Sequence, residues 1–78
     1  MQTNKTVKRK LLKKLGINIK YYRTKLNLSQ EELAFDVNIE RSYITAIEAG
    51  TKSPSLYCLY TLANRLEVPL KDLLDIQL

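Results

Sequence analysis

The fold is decided by residues 29–50, which read SQEELAFDVNIERSYITAIEAG. Ser29 and Glu32 have the spacing of a capping box, in which each side chain accepts the backbone amide hydrogen of the other residue. This pattern predicts a helix over about 29–36, with Leu33 and Ala34 facing inward. A helix of this length is too short to persist alone, so it must pack against neighbouring elements.

A second short helix is predicted within the same stretch. Asn38 interrupts the helical period, and asparagine tolerates a positive φ. Ile44 and Ile47 then recur at helical spacing over about 40–49, and Gly50 is a typical C-terminal cap. Two short helices joined by a turn have the geometry of a helix-turn-helix, although this spacing alone also fits a generic helical bundle.

Apolar residues recur at helical spacing on both sides of this stretch. Before it, one stripe predicts a helix from Val7 to about Leu26, with Gly16 weakening its middle by about 1 kcal/mol. After it, a helix is predicted to begin near Ser55, and Pro69 suits the start of a last short helix. The sequence therefore predicts an all-α fold of five helices, with a flexible N-terminal arm over 1–6 and a single domain over 7–78.

Composition excludes several classes of function. The 78 residues include no histidine and only one cysteine, Cys58. Histidine-based acid–base chemistry, histidine-ligated metal sites and internal disulfides are therefore excluded, and neither an enzyme nor a cofactor is expected. No apolar run approaches the roughly 20 residues of a membrane span, and no signal peptide is recognised, which favours a cytoplasmic protein.

The charge is distributed unevenly. The net charge is +5, and a small basic domain typically binds a polyanion. Residues 1–30 carry nine basic side chains and no acid, whereas residues 31–78 carry four basic and eight acidic ones. The Lys-rich segment from Lys5 to Lys14 is either a basic arm along a phosphate backbone or a solvated face. A membrane-surface helix over Val7 to Tyr22 is disfavoured because its apolar stripe is needed for the core.

The order and spacing of several motifs carry a family resemblance. They are LGINIKYYR at 15–23, LSQEELA at 28–34, ITAIEAG at 44–50, PSL at 54–56, Leu62-Ala63, Val68 and Leu73-Leu74. From Leu15 to Leu74 the chain resembles the Cro/C1-type (XRE) helix-turn-helix family of bacterial and phage regulators. The segment ERSYIT at 40–45 and the short length are also similar to the controller proteins of restriction–modification systems and to small phage repressors. The resemblance implies a compact, lambda-repressor-like DNA-binding domain.

The resemblance implies that the second short helix is the recognition helix, which reads bases in the major groove. Helical phase points four of its residues outward, and these are the expected base contacts: Arg41, Ser42, Thr45 and Ala46. Arg41 is expected to pair with guanine, with a phosphate clamp as its alternative, while Thr45 and Ala46 are either thymine contacts or simply exposed. Two residues depart from the family pattern: Glu40 stands at the N-cap, and Glu67 replaces the frequent glycine after the fourth helix.

Phosphate contacts and an internal ion pair are implied as well. The expected phosphate contacts are Gln30, Tyr43, Arg23, Lys52, Ser53 and Ser55. In similar proteins the glutamine also braces the recognition helix, and an arginine and a glutamate at the positions of Arg23 and Glu48 tie the first helix to the third. Alternatives remain open: Gln30 and the 52–55 loop are simply solvated, Tyr43 only packs, and Arg23 is one basic residue among nine.

A single recognition helix offers too little surface for specific binding in a genome, so a homodimer is expected. Its interface is predicted from Tyr57, Tyr60, Asn64, Leu70, Leu74 and Ile76, with completion of the monomer core as the alternative. The predicted function is a sequence-specific, double-stranded DNA-binding transcriptional regulator on a palindromic operator, with RNA polymerase as a further partner and no small-molecule or metal ligand. An antitoxin or protein-interaction module on the same fold is the alternative.

Overall fold

The computed structural model describes residues 5–78, which form five α-helices and no strands. The helices are α1 (Lys5–Lys25), α2 (Gln30–Asp36), α3 (Arg41–Ala49), α4 (Leu56–Leu66) and α5 (Leu70–Leu73). This confirms the all-α prediction. The first helix begins two residues before the predicted Val7, so Lys5 and Thr6 belong to α1 and not to a flexible arm. The rest of the predicted arm, residues 1–4, lies outside the described residues.

The predicted helix ends of α2 and α3 are present. Ser29 accepts the amide hydrogen of Glu32 at 2.9 Å, and the Glu32 carboxylate accepts that of Ser29 at 2.8 Å, which completes the capping box. Asn38 has a φ of 59° in the turn that follows α2. Gly50 caps α3 with a φ of 79°, in the left-handed region that favours glycine. Local sequence therefore fixes where both helices begin and end.

Two other chain reversals place a residue with a Cβ in the left-handed region. Asn27 ends α1 with a φ of 57°, and Glu67 ends α4 with a φ of 64°. The family departure at Glu67 thus places a side chain with a Cβ in the left-handed region. Glu40 is the N-cap of α3, and its side chain makes no capping hydrogen bond. Serine, threonine, asparagine and aspartate are the usual caps, so α3 begins without the contact that stabilises α2.

One apolar core joins all five helices. Its fully buried side chains are Ile19, Leu33, Ile44, Ile47, Leu62 and Leu73, which together come from every helix. Burying one such side chain contributes roughly 1.5–3 kcal/mol. The core orients α3 so that its opposite face lies at the surface.

Gly16 permits the closest contact between α1 and α3. A Cβ built on Gly16 would lie 2.5 Å from the carbonyl oxygen of Glu48 and 2.6 Å from that of Ile47. No side chain fits in that space without a shift of the backbone. Gly16 therefore does more than weaken α1, because it lets the first helix lie directly on the end of the third.

Candidate nucleic-acid interface

The outward face of α3 carries the predicted base contacts. Arg41, Ser42 and Thr45 are exposed, and Ala46 is half-buried at the edge of the same face. Ile44 and Ile47 lie in the core, as the helical phase predicts. The side chain of Arg41 makes no hydrogen bond or ion pair within residues 5–78. The face therefore presents one uncommitted guanidinium, that of Arg41, and the exposed hydroxyl of Ser42 to the outside.

A buried ion pair lies directly behind this face. The Glu48 carboxylate accepts hydrogen bonds from Nε of Arg23 at 2.6 Å and from Nη2 at 2.9 Å. The exposed fractions of the two side chains are 9% and 4%. Nη1 of Arg23 donates to the carbonyl of Leu28 at 2.6 Å, and the hydrogen bonds to Glu48 raise the pKa of Arg23. The expected tie between α1 and α3 is thus present, and it extends to the α1–α2 loop.

Gln30 extends the ion pair to the surface. Its Nε2 donates to Glu48 at 3.0 Å, and its Oε1 accepts from the hydroxyl of Thr45 at 2.7 Å. The result is a continuous polar network, from Arg23 through Glu48 and Gln30 to Thr45, which links α1, α2 and α3. We call these four residues the bracing network. It holds Thr45, an expected base contact, in register with the first turn of α2.

The bracing network changes what two predicted phosphate contacts can do. The guanidinium of Arg23 is engaged with Glu48 and Leu28 and its side chain is 9% exposed, so little of it remains for the predicted phosphate contact. Gln30 is half-buried and uses one amide hydrogen and its oxygen internally. A glutamine amide has two N–H donors. The second donor makes no hydrogen bond within residues 5–78 and remains for a ligand.

The other predicted phosphate contacts lie beside the start of α3. The Tyr43 ring is half-buried against the core, and Nζ of Lys52 lies 5.8 Å from its centre. Lys52 and Ser53 are exposed on the loop between α3 and α4. Ser55 is the N-cap of α4, and its hydroxyl accepts the amide hydrogen of Cys58 at 3.0 Å. Ser55 therefore has a structural role whether or not it meets a phosphate.

An open groove connects these residues to the outward face of α3. It has a volume of about 550 Å³, and its lining residues are Ile39, Glu40, Ser42, Tyr43, Ala46 and Lys52. Two of these residues are expected base contacts and two are expected phosphate contacts. The groove thus brings Ser42 and Ala46 together with Tyr43 and Lys52. Glu40 is the one acidic residue in this lining.

The predicted dimer residues divide into two groups. Tyr57, Tyr60 and Asn64 form an exposed stripe on α4, and Leu74 is exposed just after α5. Leu70 and Ile76 are half-buried against the core, so they help to complete the monomer. Their partial burial has a packing reason, because α5 is only four residues long and packs against both α1 and α4.

Sequence reasoning missed two further features. Asn18 donates from Nδ2 to the carbonyls of Leu73 at 3.0 Å and Asp75 at 3.2 Å, which holds the C-terminal residues against α1. Phe35 is 84% exposed on the outer face of α2. An asparagine in the middle of a predicted helix gives no signal of a partner 55 residues away. The exposure of Phe35, by contrast, could have been found from its helical phase opposite Leu33.

Other kinds of site are not found in the part of the chain that the structure describes. No group of three or more potential metal-ligating residues comes together within residues 5–78. None of the five helices has the length and apolar character needed to cross a membrane. Cys58 is half-buried, and burial raises the pKa of its thiol.

Comparisons with known proteins agree with the helix-turn-helix fold. A family model described as helix-turn-helix matches residues 19–73. The control protein C.BamHI of Bacillus amyloliquefaciens is 46% identical over 52 residues, which cover 67% of this chain and 64% of that protein. The match thus spans just under two thirds of the length of C.BamHI.

Two crystal structures are similar over most of the chain. The restriction-modification controller protein C.AhdI from Aeromonas hydrophila has a TM-score of 0.77 at 37% identity, and the match covers 80% of this chain and 94% of that one. SinR, a master regulator for biofilm formation, was crystallised in complex with DNA. It has a TM-score of 0.75 at 34% identity, and the match covers 78% of this chain and 98% of that one.

Proposed function

The chain belongs to the helix-turn-helix family of the Cro/C1 (XRE) type, and on this premise we propose that it is a sequence-specific, double-stranded DNA-binding transcriptional regulator. The observation that carries the proposal is the outward face of α3, exposed at Arg41, Ser42 and Thr45 and held from behind by Glu48. The major groove admits an α-helix and presents a distinct donor and acceptor pattern for each base pair. The similar structure of SinR with DNA supports this assignment.

The four outward residues have different roles in this proposal. Arg41, without an internal partner, pairs bidentately with O6 and N7 of a guanine. Ser42 offers its exposed hydroxyl to a base edge. The hydroxyl of Thr45 is bound to Gln30, so Thr45 presents its methyl group to a thymine methyl. Ala46, at the edge of the face, adds apolar contact of the same kind.

Phosphate contacts fix the register of α3 without reading sequence. Lys52 lines the groove, Ser53 is exposed next to it on the same loop, and the second N–H of Gln30 lies near Thr45 on the outward face of α3. The first backbone amides of α4 add donors of the kind that bind phosphate at helix N-termini. Tyr43 contributes its hydroxyl from the same groove.

A homodimer supplies the second recognition helix. The exposed stripe of Tyr57, Tyr60 and Asn64, together with Leu74, provides an interface that leaves the outward face of α3 free. A two-fold dimer binds two inverted half-sites about one helical turn, or about 34 Å, apart. Binding then depends on protein concentration through the dimer equilibrium. The operator's position decides whether the dimer blocks RNA polymerase or contacts it.

The test of this proposal is selection of bound duplexes from a random pool at low and at moderate salt. We expect recovery of an inverted repeat whose half-site centres are about 10 base pairs apart. Sequence-specific binding is refuted if no sequence is enriched from the pool and the affinity for duplexes shows only a steep dependence on salt. Under that outcome, capture of a stoichiometric protein partner would favour the interaction-module alternative.

Arg41→Ala tests the assignment of base contacts. We expect each protomer of the variant to bind its half-site about 5- to 150-fold more weakly, which corresponds to about 1–3 kcal/mol, and to lose preference at one base of that half-site. Lys71→Ala is the matched control, because it removes one exposed positive charge from α5. Equal losses from both variants would show that Arg41 contributes only bulk charge.

Sedimentation equilibrium tests the dimer. Tyr57→Lys with Tyr60→Lys is expected to shift the protein toward monomer, because two charges would be buried in an apolar interface. Phe35→Lys is the matched control, since it alters an aromatic residue on α2 that is more exposed than either tyrosine. A wild-type protein that stays monomeric, with and without operator, contradicts the dimer. If Phe35→Lys dissociates the dimer and the two tyrosine substitutions do not, the interface includes α2 and not the stripe on α4.

A further inference from the structure

We propose that the first turns of α1 form a second DNA-contacting surface, which binds phosphates beyond the bases read by α3. The surface consists of Lys5, Arg9 and Lys13, and we call it the basic flank. The proposal rests on the proposed DNA-binding function. It concerns residues that lie before residue 19, where the match to the helix-turn-helix family begins.

The basic flank is a single row of charges on a helix. Its members are four residues apart, a spacing that places them on one face, one turn above the other. The three residues are exposed, and none pairs with a carboxylate within residues 5–78. From Lys5 to Lys13 the row extends about 12 Å at 1.5 Å per residue. One DNA strand presents three to four phosphates over that axial length.

Two glycine contacts show which way the basic flank faces. A Cβ built on Gly50 would lie 2.9 Å from Cα of Lys13, so the end of α3 touches α1 at the last residue of the flank. Gly16, three residues further along α1, meets the carbonyls of Ile47 and Glu48. The side of α1 that carries the basic flank is therefore the side that borders α3.

The opposite side of α1 has other partners. Nζ of Lys14 donates to the carbonyl of Gln77, and Asn18 donates to the carbonyls of Leu73 and Asp75. The C-terminal residues thus cover that side and engage the charge of Lys14. The basic flank has no such partners and remains available to a ligand. Its last residue, Lys13, lies against Gly50, and Gly50 leads into the loop of Lys52 and Ser53. Phosphate contacts at this loop therefore continue onto α1.

DNA fits this surface better than an anionic membrane does. A membrane-surface helix inserts an apolar face below its charges. Leu15 and Ile19 of α1 are buried in the core, and the exposed apolar side chains in the turns of the basic flank are Val7 and Leu11, at 39% and 41%. Two partly exposed side chains give a membrane little apolar surface to bind, whereas the row of three charges matches a strand of phosphates.

The experiment compares two double variants with the same change in charge. Arg9→Gln with Lys13→Gln removes two charges from the basic flank, whereas Lys8→Gln with Lys10→Gln removes two from other faces of the same turns. Glutamine retains a helix propensity close to that of lysine and arginine. Each protein is titrated with a duplex that ends at the half-site boundaries and with one that extends about 10 base pairs further on both sides.

We expect the flank variant to lose affinity for the extended duplex only. Two lost phosphate contacts lower the slope of log affinity against log salt by about 1.8 per protomer. Raising salt fourfold should therefore weaken wild-type binding to the extended duplex about 12-fold more than variant binding, per protomer. The variant with Lys8 and Lys10 replaced should retain most of the wild-type slope, and both should bind the short duplex as the wild type does.

Three outcomes would refute the role proposed for the basic flank. Equal losses from both variants would mean that the segment contributes only a diffuse field, and unchanged slopes would mean that it does not contact DNA. Preferential loss of binding to phosphatidylserine vesicles, with unchanged DNA affinity, would assign the surface to a membrane instead. A wild type that prefers no duplex sequence would refute the proposed function itself, a result visible before any variant is compared.

Discussion

Removing the carboxylate of Glu48 tests whether the bracing network holds the helices together. Glu48 accepts two hydrogen bonds from Arg23 and one from Gln30, at 2.6, 2.9 and 3.0 Å. Glu48→Ala leaves the Arg23 guanidinium buried without a counter-charge, and it leaves Nε2 of Gln30 without its acceptor. The perturbation therefore removes the polar contacts of Glu48 with α1 and α2, and it leaves the apolar core and the bond between Thr45 and Gln30 in place.

The expected loss is large in comparison with the stability of so small a domain. Removing one partner of a buried ion pair costs about 3–5 kcal/mol, because the other charge stays desolvated. A chain of this length has a free energy of unfolding of roughly 4–12 kcal/mol. At about 4–8 °C per kcal/mol, the midpoint of thermal unfolding should fall by at least 12 °C.

The pH dependence of this loss follows from Arg23. Its hydrogen bonds to Glu48 raise the pKa of Arg23 above its ordinary value. A raised pKa stabilises the fold fully at any pH below the unfolded-state pKa, and this contribution is lost only as pH rises through the folded-state pKa. Both lie far above neutrality. Titration of Arg23 should therefore leave the loss unchanged between about pH 6 and pH 9.

Urea unfolding, followed by far-ultraviolet circular dichroism, measures the loss. Asp36→Ala is the matched control, because it breaks the pair between Asp36 and Arg65, which has a similar 2.7 Å distance. That pair is about one-third exposed, with fractions of 33% and 32%, so solvent screening should limit its loss to about 1 kcal/mol or less. The reasoning is refuted if Glu48→Ala costs no more than Asp36→Ala, because burial would then have no effect.

Three further predictions follow from single residues. Gly16→Ala should destabilise the fold by about 1–3 kcal/mol despite the higher helix propensity of alanine, because the added Cβ would lie 2.5 Å from the carbonyl oxygen of Glu48; a higher thermal midpoint would contradict this. Glu40→Ser should stabilise the fold by about 0.5–1 kcal/mol by supplying the missing cap of α3, and an unchanged urea midpoint would count against it. Because burial raises the pKa of the Cys58 thiol, iodoacetamide near pH 8 should alkylate the folded protein more slowly than the urea-unfolded one, and equal rates would show that the thiol is not protected.

The features that sequence predicted well depend on residues close together in the chain. The capping box of Ser29 and Glu32, the positive φ of Asn38 and the left-handed cap at Gly50 are all present. Each is determined by a backbone preference or by a hydrogen bond within a few residues. The inward phase of Ile44 and Ile47 was predictable for the same reason, since it needs only the helical period.

The features that sequence could not supply depend on contacts between distant helices. In the sequence, Gly16 indicates only a cost in helix propensity. Its packing role cannot be predicted there, because its neighbours Ile47 and Glu48 are about 30 residues away. The inward direction of the Gln30 amide likewise depends on where α3 crosses α2. Spacing alone did not pair Arg23 with Glu48 either, since that expectation came from the family resemblance.

Thr45 and Gln30 also bear on how operator preference can diverge among related regulators. Arg41 and Ser42 have exposed side chains without internal bonds, so, under the proposed base contacts, we expect a substitution at either position to alter base preference and leave the scaffold intact. Thr45 is different, because its hydroxyl is shared with Gln30. Replacing it removes a partner from the network that extends to Arg23. We therefore expect that base preference can change through one substitution at position 41 or 42. A change through position 45 should need a compensating change at position 30.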